Sequence, residues 1–153
     1  MNSLTGAWLA IGGPENRTSG NSILLWDTTT WRVFRALSEA DKYGIVFRTH
    51  FSSDDRSLAS VGASAEVCVW DVESGARQWT FQGSMFSVFS PDGRTIATVS
   101  DDGAHDVQLV DADTGALRFR MAGHVEPVTS ASFNGGKHLR LSTSVSFLSV
   151  SFL

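Results

Sequence analysis

One phrase recurs along this chain and limits what it can fold into. Glu66–Gly75 reads Glu-Val-Cys-Val-Trp-Asp-Val-Glu-Ser-Gly: a short apolar run closing on Trp70-Asp71, then a turn at Glu73-Ser74-Gly75. A second apolar run, Ala76–Phe81, follows. Upstream the phrase is Ser22-Ile-Leu-Leu-Trp-Asp, ending on Trp26-Asp27. Downstream it is Asp106-Val-Gln-Leu-Val-Asp, ending on Val110-Asp111 and running on to Thr114-Gly115. A period of roughly 40 residues is the length of one supersecondary unit, which has to stack on its own copies to bury a core.

Within each period the segments are short, rich in Val, Ile, Phe, Trp and Thr, and broken by Gly, Asp and Ser. That is a β pattern. The second unit (44–82) predicts strands Ile45–Phe51, Ser57–Val61, Glu66–Trp70 and Ala76–Phe81. The third (83–122) predicts Met85–Phe89, a turn at Ser90-Pro91-Asp92-Gly93, then Thr95–Ser100, Asp106–Val110 and Ala116–Met121. The first (4–37) predicts Ala7–Ile11, a polar loop over Gly12–Asn21, Ile23–Trp26 and Trp31–Leu37, with nothing ahead of Ala7 to supply its opening strand. Ser38–Gly44 is expected to hold at most a turn of helix. The fourth (123–143) predicts Val128–Phe133 and His138–Ser142 around a turn at Asn134-Gly135-Gly136. Tight turns between neighbouring runs make each unit an antiparallel sheet.

Residues 144–148 read Ser-Val-Ser-Phe-Leu and 149–153 repeat them, with no charge after Arg140. This tail is read as atypical, a truncated or misread end rather than evolved propeller sequence; its alternative is a short β segment. Uncharged, apolar and free of Pro, it is expected to aggregate when exposed.

Hydrophobic residues make up 42% of the chain, enough for a core. The net charge is −4 and no Lys/Arg run occurs, which argues against nucleic acid as a partner. No stretch reaches the roughly 18 apolar residues of a membrane span, and no basic residue precedes Ala7–Ile11 to suggest a signal peptide. A single cysteine, Cys68, points to a reducing compartment. The expected location is cytoplasmic, with the nucleus not excluded. His50, His105, His124 and His138 show no metal-ligand spacing. Asp101-Asp102 and Asp111/Asp113 read as turn residues rather than acid–base pairs. No nucleophile elbow and no phosphate loop is present. The chain is therefore expected to be no enzyme and to hold no cofactor and no metal.

The motifs in combination are specific. The chain resembles WD-repeat proteins, also called β-transducin repeats, over about residues 4 to 143. Phe51-Ser-Ser-Asp-Asp-Arg-Ser-Leu-Ala-Ser and Phe89-Ser-Pro-Asp-Gly-Arg-Thr-Ile-Ala-Thr are similar to the family's first turn. Trp26-Asp27 and Trp70-Asp71 are similar to its name-giving dipeptide, with Asp111 at the same place in the third unit. Gly123-His124 is similar to the Gly-His that opens a repeat. The resemblance implies an all-β fold, a partial β-propeller of about three to four four-stranded antiparallel blades in an open arc. It implies a protein-interaction platform rather than catalysis.

It also implies a hydrogen-bonded set within each blade: His, a Ser or Thr on the second strand, Asp and Trp. Ser60 and Trp70 match in the second unit, where Ser64 stands at the Asp position. Thr98 and Asp102 match in the third, where Val110 replaces Trp and Gly83-Ser84 replaces Gly-His. Only His124 matches in the fourth, where Leu141 takes the hydroxyl position. Weaker blades are the expected result. The expected function is a protein scaffold, with Arg32, Arg35, Tyr43, Arg48, Arg77 and Arg118 as candidate partner contacts, since interface hot spots favour Arg, Tyr and Trp. The alternative is a structural arc that works only after completing a propeller, by self-association through its open edges or within a longer chain.

Overall fold

The turn residues divide the chain into strands of five to seven residues, except for one of two, and these strands pair with their sequence neighbours. The structure is a computed structural model and describes residues 6–14, 21–37, 45–84, 86–100, 105–123, 126–134, 138–143 and 147–151. No helix occurs among them. β1 (Trp8–Pro14), β2 (Asn21–Asp27) and β3 (Arg32–Leu37) form the first sheet. β4 (Val46–Phe51), β5 (Ser57–Gly62), β6 (Glu66–Asp71) and β7 (Arg77–Gln82) form the second. β8 (Val88–Phe89), β9 (Thr95–Val99), β10 (Val107–Asp111) and β11 (Leu117–Met121) form the third. β12 (Val128–Asn134), β13 (His138–Thr143) and β14 (Phe147–Ser151) form the fourth. All pairs are antiparallel and run in sequence order, so the architecture is the all-β open arc of propeller blades.

Period-2 alternation gives each sheet two apolar faces, and stacking buries them. Between the first and second sheets lie Ala10, Ile23, Leu25 and Leu37 against Leu58, Cys68 and Trp70. Between the second and third lie Ala59, Val61, Val67 and Val69 against Phe89, Ile96 and Ala112. Between the third and fourth lie Ala97, Val99, Val107 and Leu109 against Val128, Leu139 and Leu141. The innermost strands converge, β1 on β4, β4 on β8 and β8 on β12. β3, β7 and β11 form the outer rim.

The rim carries a second kind of contact. Gly75 and Gly115 both have φ of 73°, and each receives a side chain from the preceding sheet. A Cβ on Gly75 would stand 2.4 Å from Arg35 Cδ, and one on Gly115 would stand 2.9 Å from the Trp79 ring. Trp79 Nε1 also donates to the Ala112 carbonyl at 3.1 Å. Leu25 pairs with Arg35 and Val69 with Trp79, so the two side chains hold matching register positions. Each glycine serves a left-handed turn and a close approach together.

Several expectations change. Gly12-Gly13-Pro14 and Asn21 belong to strands rather than to a loop or turn. Gly12 is the point where β1 crosses β4, and a Cβ there would lie 3.1 Å from Val46. The strand expected over Met85–Phe89 shrinks to Val88–Phe89, because Ser87 Oγ donates to the Ser84 carbonyl at 2.7 Å and draws the segment into a turn. Trp31 sits in the turn ahead of β3 rather than in it. The tail's Phe147–Ser151 pairs with β13 at the third-strand position of the fourth sheet, as in the short β segment named above as the alternative. The helical turn at Ser38–Gly44 and the turn glycines Gly135-Gly136 lie outside the described residues.

If the rim glycines are seats, substitution at them costs more than backbone strain. Gly93, with the same φ of 73° but nothing nearer than the Ser53 hydroxyl at 3.2 Å, supplies the comparison. Gly93→Ala is expected to lose about 1–2 kcal/mol, the left-handed penalty. Gly115→Ala is expected to lose about 1–3 kcal/mol more through overpacking against Trp79. Adding Trp79→Ala to Gly115→Ala should remove that excess in a urea-denaturation double-mutant cycle. Equal losses at Gly93 and Gly115 would contradict the seat.

Candidate functional site

The aspartates close turns. Asp27 Oδ1 accepts from the Thr29 and Thr30 amides at 2.7 and 2.9 Å. Asp71 Oδ1 accepts from the Ser74 amide at 2.6 Å, and Asp111 Oδ1 from the Asp113 and Thr114 amides at 3.0 and 2.9 Å. In the inner turns Ser52 and Ser90 hydroxyls donate to Asp54 and Asp92 at 2.7 and 2.5 Å. These donors hold the carboxylates ionised. The Ser74 hydroxyl lowers Asp71 and the Ser90 hydroxyl lowers Asp92, while the Thr30 amide lowers Asp27. Burial raises Asp54, but the Ser52 hydroxyl and the Arg56 amide outweigh it. Asp111 falls furthest, to about 2, because the Arg118 guanidinium forks onto it.

The polar set between sheets is partial. Trp70 Nε1 donates to Ser60 Oγ at 2.8 Å in the buried space between the first two sheets. In the third sheet Val110 has no polar atom for Thr98, which is buried. Its Oγ1 instead accepts from the Ser84 amide at 3.2 Å and meets Ser87 Oγ at 2.8 Å. In the first sheet Trp26 Nε1 is buried without a partner. The register explains this. Trp70 pairs with Leu58, two residues before Ser60, and Trp26 pairs with Leu9, two residues before Ile11. An isoleucine holds the acceptor's place. Asp102 and His124 lie outside the described residues, and Gly123 has a φ of 118° with no described residue within 4 Å of where a Cβ would stand.

Cys68 is buried, and burial, with the charge of Glu66 adding to it, pushes its thiol up to about 12. It is no nucleophile at neutral pH. His50 is half-buried, and burial lowers its pKa against the opposing Phe51 carbonyl.

The candidate partner contacts do not converge. Arg32 is exposed on β3, Arg77 on β7 and Arg118 on β11, all on the rim, whereas Arg48 is exposed on the innermost strand β4. Arg118 is committed to Asp111 and to Thr95 Oγ1 at 3.2 Å. Arg35 is half-buried, because its stem fills the space over Gly75. Tyr43 lies outside the described residues. The exposed apolar side chains escaped a reading that looked for arginines. Trp31, Val33 and Phe34 stand on the first rim, Leu117 and Phe119 on the third, and Ile11, Ile45 and Phe47 on or beside the innermost strands.

Trp31 is unusual in its backbone. It lies four residues after Asp27, as Gly75 and Gly115 lie four after Asp71 and Asp111, and all three amides donate back to that Asp carbonyl. Its φ is 54° and its side chain is 66% exposed. A tryptophan therefore holds a left-handed position that the other two turns give to glycine.

Stacked antiparallel sheets with Asp-closed turns and converging inner strands define β-propeller blades. Residues 75–104 match the family model described as WD domain, G-beta repeat. Over 128 residues the chain is 33% identical to Autophagy-related protein 16 of Arabidopsis thaliana, covering 80% of this chain and 24% of that protein. It is 30% identical over 130 residues to WD repeat-containing protein SL1-17 of Schistosoma mansoni (81% and 41%). It is 26% identical over 125 residues to Meiotic recombination protein rec14 of Schizosaccharomyces pombe (78% and 40%). The chain carries a WD-type repeat, is similar to WD-repeat proteins along about four fifths of its length, and spans well under half the length of these curated relatives.

Two outcomes follow from the polar set and the turns. Ser60→Ala leaves Trp70 Nε1 buried and unpaired and is expected to cost about 1–3 kcal/mol, whereas Ile11→Ser supplies the acceptor Trp26 lacks and should stabilise by about 1 kcal/mol. Both are read by chemical denaturation, and a destabilising Ile11→Ser would contradict the register argument. Asp27, Asp54, Asp71, Asp92 and Asp111 all titrate lower folded than unfolded, where a carboxyl sits near 4. Their contribution is complete above pH of about 4 and is lost as pH falls toward about 2, because the unfolded chain binds the protons first. Melting temperature should fall across that window, and Asp111→Asn should flatten the fall. A melting temperature independent of pH below 4 would count against the turns as ionised locks.

Proposed function

We propose that this chain is a non-catalytic protein-interaction scaffold of the WD-repeat type, acting in the cytoplasm. The observation that carries it is Trp31. Its left-handed backbone costs about 1–2 kcal/mol relative to glycine, and at 66% exposure the residue returns little core packing. Strain kept at an exposed aromatic residue supports a contact surface. The carboxylates of Asp27, Asp54, Asp71, Asp92 and Asp111 are meanwhile bound into turns. The relatives carry names from separate settings, autophagy and meiotic recombination, so likeness supports the fold and leaves the partner to the surface.

A second reading, completion of the propeller by further blades, is favoured by the first sheet's outward face. Alternation places Leu9, Ile11, Leu24 and Trp26 opposite the face that meets the second sheet. The occupant of that face would be a second copy or blades of a longer chain.

Trp31→Gly separates the two readings. It is expected to stabilise the chain by about 1 kcal/mol while weakening capture of a partner identified by crosslinking, and to leave mass by light scattering unchanged. A discrete dimer that Leu24→Glu dissociates would support completion instead. Turnover in a substrate screen, abolished by one Asp or His substitution, would overturn the scaffold.

A further inference from the structure

The innermost strands enclose a concavity of about 650 Å³, within the range of roughly 300–1,000 Å³ that ligand sites occupy. Its walls come from all four sheets: β1, β4, the segment leading into β8, and β12. Part of the wall is apolar and wet. Phe47 is 54% exposed, Ile11 of the same wall is 46% exposed, and Phe86 is half-buried. The other notable feature is charge. Among the described residues, Arg48 and His50 are the only ionisable ones on the wall, and no carboxylate lines it.

Arg48 is exposed, and its guanidinium lies 5.7 Å from the centroid of the Phe86 ring. That contact steadies the guanidinium plane and leaves its N–H groups unspent. Among the described residues no carboxylate pairs with it, in contrast to Arg118 on Asp111 and Arg120 on Asp106. His50 Nδ1 is engaged with the Phe51 carbonyl at 3.0 Å. Its burial favours the neutral ring, so Arg48 supplies the full positive charge. The chain carries a net −4. General electrostatics therefore repel an anion, and only the local arrangement favours one here.

We propose that this concavity binds an acidic peptide segment, with a side-chain carboxylate paired to Arg48 and an adjacent apolar side chain on Phe47 and Ile11. The inference rests on the scaffold reading and names the class of partner. The match is chemical. A guanidinium fork takes a carboxylate through two parallel N–H···O bonds, which a point charge does not do. Stacking on Phe86 holds the fork ready, so less ordering is needed on binding. The aromatic and aliphatic wall gives a neighbouring leucine or phenylalanine a place to leave water.

The test uses the whole 153-residue chain and short fluorescein-labelled peptides with Glu-Leu-Glu, Gln-Leu-Gln, Lys-Leu-Lys or phosphoserine-Leu-phosphoserine at their centres, read by anisotropy. The Glu peptide is expected to bind at least about tenfold more tightly than the Gln peptide, a difference of about 1.4 kcal/mol, and to weaken as salt rises. Arg48→Glu should abolish that preference and turn it toward the Lys peptide, and Arg48→Lys should restore part of it. Arg48 lies outside the core, and circular-dichroism melts of each variant check that the fold is kept. Equal binding of the Glu and Gln peptides, binding of the phosphoserine peptide alone, or Glu binding that survives Arg48→Glu would overturn the acidic-peptide assignment and leave a peptide-binding scaffold standing. Binding of no peptide in the series, with partner capture through Trp31 also absent, would overturn the scaffold as well.

Discussion

Face-to-face burial between neighbouring sheets is the constraint on which this structure depends. A four-stranded sheet of short strands buries little by itself. Val67 and Val69 are fully buried only because Phe89, Ile96 and Ala112 stand opposite, and Leu139 and Leu141 only because Val107 and Leu109 do. Stability is thus a sum of interfaces between neighbours, and each interface has an inner and an outer fastening. The inner one is the approach of strands such as β1 and β4, close enough at Gly12 that a Cβ would stand 3.1 Å from Val46. The outer one is a rim side chain laid on the next sheet's turn glycine.

The repeat made most of this legible. Turn chemistry at Asp71, Ser74 and Gly75 marks where β6 ends and β7 begins, and the same residues at Asp111, Thr114 and Gly115 mark β10 and β11. The expected meeting of Ser60 and Trp70 appears as a hydrogen bond. What escaped the sequence were properties set by neighbours. Gly12-Gly13-Pro14 carries turn residues, yet pairing with Asn21–Ile23 keeps it extended. Arg35 looks like a surface cation until the register lays it over Gly75. Phe119 looks like core and is 65% exposed. It matches Trp79 in register, through Leu109 as Trp79 does through Val69, but no turn among the described residues lies over it as Gly115 lies over Trp79.

The same logic explains how the fold tolerates incomplete polar sets. Losing one donor–acceptor pair is mild when both members change together, and costly when one is left behind in the dark. In the third sheet both changed: Val110 has no N–H to satisfy, and Thr98 found Ser84 and Ser87. In the first sheet only the acceptor changed, to Ile11, and the Trp26 indole was left unpaired. The defect sits on the side of the first sheet turned away from the second.

That outward face and the far end of the arc differ in chemistry. Leu9, Leu24 and Trp26 line the first, whereas exposed His138 and Arg140 alternate with buried Leu139 and Leu141 on β13 and so point away from the third sheet. A head-to-tail ring of identical arcs would press a guanidinium onto leucine and tryptophan, stripping it of water with no carboxylate among the described residues of that face in return, at a cost of several kcal/mol. Apolar surface of this kind is matched only by apolar surface. Closure by self-association would therefore have to be isologous at the first sheet, two copies of the same face meeting about a two-fold axis. Such a contact leaves both His138–Arg140 faces outward and makes a pair, not a ring.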